Sequence, residues 1–91
     1  MIVYTDGSIE AREIPHLPGW VELTWLYPGD SPQRFARGFY KAQQQLKVLG
    51  KRGWLTWSES DHFNMHRHIK RVGGQEYARE SNKVFFKKEL V

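Results

Sequence analysis

Hydrophobic positions along this chain change period several times, and each change marks an element. Residues 2–5 (Ile-Val-Tyr-Thr) and 8–11 (Ser-Ile-Glu-Ala) flank Asp6-Gly7, which predicts a hairpin closed by a two-residue turn. A loop rich in proline and glycine follows, with Pro15, Pro18 and Gly19. Residues 20–27 then alternate, placing Val21, Leu23, Trp25 and Tyr27 on one face and Glu22 and Thr24 on the other, the pattern of a strand with one buried side. The stretch from Pro28 to Pro32 breaks it. Over residues 33–49 the step becomes four, three, four, three through Phe35, Phe39, Ala42, Leu46 and Leu49, which is a buried helical stripe. Ser31 is placed to cap its start, Pro32 to fill the first turn and Gly50 to end it. Residues 54–57 (Trp-Leu-Thr-Trp) predict a short strand. Ser58, Glu59, Ser60 and Asp61 offer caps for a second helix over 61–72, where Met65, Ile69 and Val72 share a face before Gly73-Gly74 stops it. Residues 83–90 predict a last strand, preceded by a shorter one at 75–78. The order hairpin, strand, helix, strand, helix, strand predicts an α/β (α+β) domain. Its sheet is mixed and twisted, and a right-handed crossover joins strands 20–27 and 54–57 as parallel neighbours.

Composition narrows the classes. Ninety-one residues make one domain, 1–91, with a hairpin at 1–13 and a core at 20–91; 40% hydrophobic and 14% aromatic residues supply a dense interior. The absence of cysteine excludes disulfides, thiolate nucleophiles and cysteine-based metal sites. The start lacks the basic-then-apolar pattern of a signal peptide, and no apolar run approaches the roughly 18 residues of a membrane span, so a cytoplasmic protein is expected. A net charge of +4 admits an anionic partner. Nucleic acid is not expected to be that partner, because Arg34, Arg37, Lys41, Lys47, Lys51 and Arg52 spread over several helix faces and the four tryptophans read as core and sheet residues.

The segment with the most chemistry runs from Tyr27 to Gly38. It joins a strand to a helix whose first N–H groups have no intrahelical acceptor, so an anion is attracted there, with Arg34 and Arg37 at hand for a phosphate. Gln33-Arg34-Phe35-Ala36-Arg37-Gly38 resembles the (Arg/Gln)-x-x-Gly-x-(Gly/Ala) signature of the GNAT superfamily of N-acetyltransferases. Gln33 and Gly38 match its ends, and Ala36 stands where glycine is usual. The helix ending His68-Ile69-Lys70-Arg71-Val72-Gly73-Gly74-Gln75-Glu76-Tyr77 is similar to that family's second helix terminus, and the element order of residues 14–91 follows it. The resemblance implies an acyl-CoA N-acyltransferase fold lacking most of the family's N-terminal half. It also implies acetyl-CoA as co-substrate, bound by Gln33, Arg34, Phe35, Ala36, Arg37 and Gly38, and transfer of an acetyl group to a primary amine. Strands 20–27 and 54–57 would splay to admit the pantetheine arm.

Catalytic residues are less readable. Glu22, Thr24, Tyr27, Ser58 and His62 are the polar candidates near such a cleft, Glu22 standing where some family members carry a base. The family's tyrosine acid aligns with Ile69, which has no proton to give. His62 and His66 lie four apart, but no third metal ligand has a defined spacing, so a solvated helix face is expected there and no metal. A second reading stands beside the enzyme. The compact ending is similar to small phage-encoded acetyltransferase-like proteins, and an inactive protein that binds and inhibits a host protein in the host cytoplasm, or sits in a virion, keeps the fold without the chemistry. An uncovered sheet edge would also favour a homodimer.

Overall fold

The computed structural model describes residues 1–26 and 32–91, with the backbone alone at residues 32, 33 and 35. The elements in chain order are β1 (Ile2–Thr5), β2 (Ile9–Glu13), β3 (Trp20–Trp25), α1 (Pro32–Val48), β4 (Gly53–Glu59), α2 (Phe63–Arg71), β5 (Gln75–Glu80) and β6 (Lys83–Glu89). They form one mixed sheet in the order β1-β2-β3-β4-β6-β5. β3 and β4 are parallel neighbours joined through α1, as the alternation of patterns predicts, and the other pairs are antiparallel.

Strand periodicity decides what each face carries. Val21 is level with Trp54, Ala11 with Leu23 and Thr56 with Phe86, so these side chains share one face. Both helices cover it. Phe39, Ala42 and Leu46 of α1 and Ile69 of α2 close a core with Ile9, Ala11, Val21, Leu23, Trp54, Val84 and Phe86. Trp54 is the centre: it is fully buried, meets the edge of Phe39 at 4.9 Å between ring centroids, and donates its indole N–H to Gln43 Oε1 at 3.0 Å. Gly50 (φ 75°) and Gly73 (φ 101°) end the two helices in the left-handed region that a side chain resists.

Several expectations are corrected. The hairpin loop spans Asp6, Gly7 and Ser8, because the Asp6 carboxylate organises it by accepting from the Ser8 N–H (2.9 Å), the Ser8 hydroxyl (2.8 Å) and the Ile9 N–H (3.1 Å). Leu49 lies past the end of α1 and is exposed, outside the buried stripe. β4 runs to Glu59, so Ser58 and Glu59 belong to a strand and cap nothing; the residue before α2 is His62, which makes no side-chain cap bond. β3 ends at Trp25; Tyr27, the break from Pro28 and the Ser31 cap lie outside the described residues.

The Asp6 network has a pH signature. Partial burial raises the carboxyl pKa, but the hydrogen bonds from Ser8, Ile9 and Tyr4 outweigh it and hold the value below the usual carboxylate range. A group depressed in the folded state contributes stability above its unfolded pKa and loses it as pH falls through the folded value. Asp6→Ala is therefore expected to cost about 1 kcal/mol near neutrality, as for a net loss of a few exposed hydrogen bonds. The difference from the parent should begin to shrink below about pH 4, where Asp6 of the unfolded chain takes up its proton, and vanish as pH falls through the lower folded value. Urea unfolding at a series of pH values measures both.

Candidate functional site

The ladder between β3 and β4 is short. It runs from Trp20↔Gly53 to Glu22↔Leu55 and then stops, although β3 continues to Trp25 and β4 to Glu59. Each strand keeps its antiparallel neighbour on the outer side to the end. The inner edges of residues 23–25 and 56–59 therefore diverge, and the Thr56 hydroxyl donating to the Leu23 carbonyl at 2.9 Å marks the fork. This is the splaying that the family resemblance implied. A cleft of about 230 Å³ opens there, walled by Leu23, Thr24 and Trp25 on one strand and Thr56, Trp57, Ser58 and Glu59 on the other. Phe39 of α1 and Met65 and Ile69 of α2 form its apolar floor, and His62 stands at its mouth.

The two helix starts follow the carboxyl ends of these two strands, so they bring charge to the same end of the sheet. α1 has no acidic residue in its first turn, and Arg34 and Arg37 are exposed on it. The backbone of residues 33–35 supplies first-turn N–H groups that lack intrahelical acceptors. The side chains of Gln33 and Phe35 lie outside the described residues, and Ala36 is half-buried. Gly38 is placed in the second turn of α1 and is buried. A Cβ on it would meet Ser8 Oγ at 3.5 Å and the Trp25 ring at 3.6 Å, so this glycine faces the sheet and sets how closely α1 packs beside the cleft wall. Those distances are ordinary contact. Gly38→Ala is expected to fold as well as the parent or gain up to about 1 kcal/mol from helix propensity. Gly38→Asp, which presses a carboxylate against Trp25, is expected to lower the melting temperature clearly. Thermal melts of the two variants separate these effects.

At the other helix start the side chains gather differently from the expected solvated face. His66 is only 7% exposed. Its Nε2 lies 2.7 Å from the Glu59 carbonyl, which can only accept, so Nε2 carries the proton; its ring packs on Phe86 at 5.5 Å. The same carbonyl accepts the His62 N–H at 3.1 Å, and the Ser60 N–H donates to the Asn82 carbonyl at 2.7 Å. The corner between β4 and α2 is thus fixed by backbone bonds. It presents the His62 ring 3.6 Å from Glu59 Oε2 and 3.9 Å from Asp61 Oδ1. Among the described residues, Glu59, Asp61 and His62 are the group whose ligand atoms come within 4.8 Å of one another; His66 and His68 are not in it. Sequence reasoning grouped Asp61 with His62, His66 and His68 but missed Glu59, which it read as a cap.

Of the catalytic candidates, Thr24, Ser58 and His62 line the cleft. Glu22 is exposed below the fork and does not. Tyr27 is outside the described residues. No helix is long and apolar enough to cross a membrane among the described residues.

No protein-family model matches the sequence, and no curated protein matches it. Solved structures do match the fold. A Salmonella typhimurium acetyltransferase, solved with its cofactor acetyl-CoA, superposes with a TM-score of 0.74 at 14% identity over 91% of this chain. A GNAT-family acetyltransferase from Desulfovibrio desulfuricans gives 0.75 at 15% identity over 96%. An acyl-CoA N-acyltransferase from Klebsiella pneumoniae gives 0.67 at 14% over 92%. The chain spans 57%, 66% and 74% of the lengths of these three proteins. With its six-stranded sheet, parallel fork and two helices on one face, this chain has the GNAT acyl-CoA N-acyltransferase fold.

Proposed function

We propose that this protein binds acetyl-CoA in the fork between β3 and β4 and transfers the acetyl group to a primary amine. The observation that carries the reading is the interrupted β3–β4 ladder. Two parallel strands that part company turn their inner backbone edges toward the cleft, and an extended chain bearing amides adds to such edges as a short strand would. The pantetheine arm has that chemistry, and the apolar floor of Phe39, Met65 and Ile69 suits its methylenes. The start of α1, with first-turn N–H groups that no intrahelical carbonyl takes and with Arg34 and Arg37, suits its pyrophosphate. The Salmonella neighbour, which holds acetyl-CoA, supports the same ligand here.

The bound thioester supplies an activated acyl carbon. The chain's own residues must deliver an uncharged amine to it and dispose of the proton. Glu59 and Asp61 give the β4–α2 corner a negative field that attracts an ammonium, and His62 between them is the group placed to take a proton from it. Nucleophilic attack then forms the C–N bond and the C–S bond breaks, with the amine's second proton balancing the departing thiolate. His62 is the proposed base, Glu59 its orienting neighbour, and Thr24 and Ser58 are polar walls of the cleft.

Titration of acetyl-CoA into 15N-labelled protein tests the location. The expected result is a set of shifted amides at residues 23–25, 56–59 and 34–38. Shifts confined to the far end of the sheet, around Pro18 and Lys51, would contradict the reading.

A further inference from the structure

The cleft between β3 and β4 passes through the sheet. Of the residues that wall it, Leu23, Thr56 and Ser58 are buried on the helix side, whereas Thr24, Trp57 and Glu59 alternate to the other side and are exposed. The start of α1, the proposed seat of the pyrophosphate, is on the helix side, so a cofactor entering from there directs its acetyl end toward the open face. That face carries an apolar band of Leu55, Trp57, Phe85 and Tyr77 across β4, β6 and β5, with two lysines on it. Their surroundings differ. Lys87 lies opposite Leu55 and 5.7 Å from the centroid of the Tyr77 ring, and neither neighbour walls the cleft. Lys83 lies opposite Glu59, yet it forms no ion pair among the described residues, and its Nζ is held 4.4 Å over the ring of Trp57. An amine of this chain thus rests against the Trp57 wall of the cleft. The next wall residue on that face, Glu59, has its carboxylate 3.6 Å from His62 Nε2.

We propose that Lys83 is an acetyl acceptor of its own chain: with acetyl-CoA in the fork, its side chain swings off the Trp57 ring and takes the acetyl group in cis. The inference rests on the acyl-transfer reading and names an acceptor for it. Only β4 separates β6 from the fork, so rotation about the bonds of the lysine stem carries its end toward the cleft without moving a strand. An exposed cation–aromatic contact is weak enough to release it. His62 takes one proton from the ammonium, and the neutral Nζ attacks the acetyl carbon. The N–C bond forms, the C–S bond breaks with its electron pair passing to sulfur, and a second proton from Nζ neutralises the thiolate. The products are N-acetyl-lysine and the CoA thiol. Tethering gives this amine a higher effective concentration than a free one. The acetylated side chain has lost its positive charge and with it the attraction to the indole, so it leaves the Trp57 wall to other acceptors.

Mass spectrometry of the protein incubated with acetyl-CoA and no added amine tests it, with calorimetry of acetyl-CoA binding run beside it. The parent should gain one acetyl group, placed by fragmentation at Lys83 and not at Lys87, at a rate per molecule that dilution of the protein leaves unchanged. Lys83→Arg should bind acetyl-CoA as the parent does and gain no acetyl group, while Lys87→Arg should be acetylated like the parent. Both lysines are exposed, so circular dichroism should show the parent fold in each variant. Thr24→Trp, whose indole fills the cleft, should stay unmodified. A Lys83 left bare in a protein that binds acetyl-CoA would overturn this inference alone. A protein that neither binds acetyl-CoA nor gains an acetyl group would overturn the reading beneath it as well. Equal modification of Lys83 and Lys87, acetylation that persists in folded Thr24→Trp, or a rate per molecule that falls on dilution would each show transfer by another route and sink the proposal.

Discussion

Trp54→Ala is expected to melt roughly 15–30 °C below the parent and to be substantially unfolded at moderate urea. The side chain is fully buried, so its removal costs about 3–5 kcal/mol in transfer and cavity terms. It also strands the Gln43 amide oxygen, which is buried and takes its hydrogen bond from this indole, at a further cost of about 1–3 kcal/mol. A domain of this size holds only about 5–15 kcal/mol in total. It ties α1 to β4 in two ways, by the edge contact with Phe39 and by the bond to Gln43. Trp54→Phe separates the two terms. It keeps most of the volume and loses the N–H, so it should fall by only the smaller amount. If Trp54→Ala melted within a few degrees of the parent, the core as described here would be wrong.

His62→Ala is expected to lower the rate of acetyl transfer by about 100- to 10,000-fold, the range seen when a positioned base is removed. Affinity for acetyl-CoA should be nearly unchanged, since His62 stands at the mouth of the cleft and not along its floor. The fold should also hold, because His62 is exposed and its side chain makes no cap bond. Glu59→Gln should have a smaller effect on rate. The assay is thiol release from acetyl-CoA with a panel of primary amines. A His62→Ala protein as fast as the parent would remove the base assignment while leaving cofactor binding intact.

The strands and helices were legible in the sequence where one periodicity dominated. Val21 and Leu23 announce β3, and Phe39, Ala42 and Leu46 announce the buried stripe of α1. The parallel pairing of β3 and β4 followed from the helix between them. The extent of β4 was not legible, because Gly53, Ser58 and Glu59 are poor strand formers; their extended form comes from pairing with β6 over the full length from Gly53 to Glu59. His66 could not be recognised as a core residue either. A buried histidine is accommodated when both a carbonyl and an apolar wall are supplied; here the Glu59 carbonyl is offered only because β4 runs on to Glu59, and Phe86 comes from the last strand. In residues 83–89 charged and apolar residues fall on both faces, so the band of Phe85 and its lysines was invisible until the register was known. The fork itself rests on where a ladder stops, which no local pattern encodes.

The fork is the centre of the account, and calorimetric titration with acetyl-CoA tests it most directly when the parent is compared with Thr24→Trp. Thr24 is an exposed wall residue on β3, where tryptophan is well tolerated, so the variant should fold while its indole fills the cleft. Saturable one-to-one binding of acetyl-CoA, and of CoA, is expected for the parent, and no measurable heat with the folded variant. A parent that binds neither ligand, or a folded Thr24→Trp protein that binds both as the parent does, would contradict it.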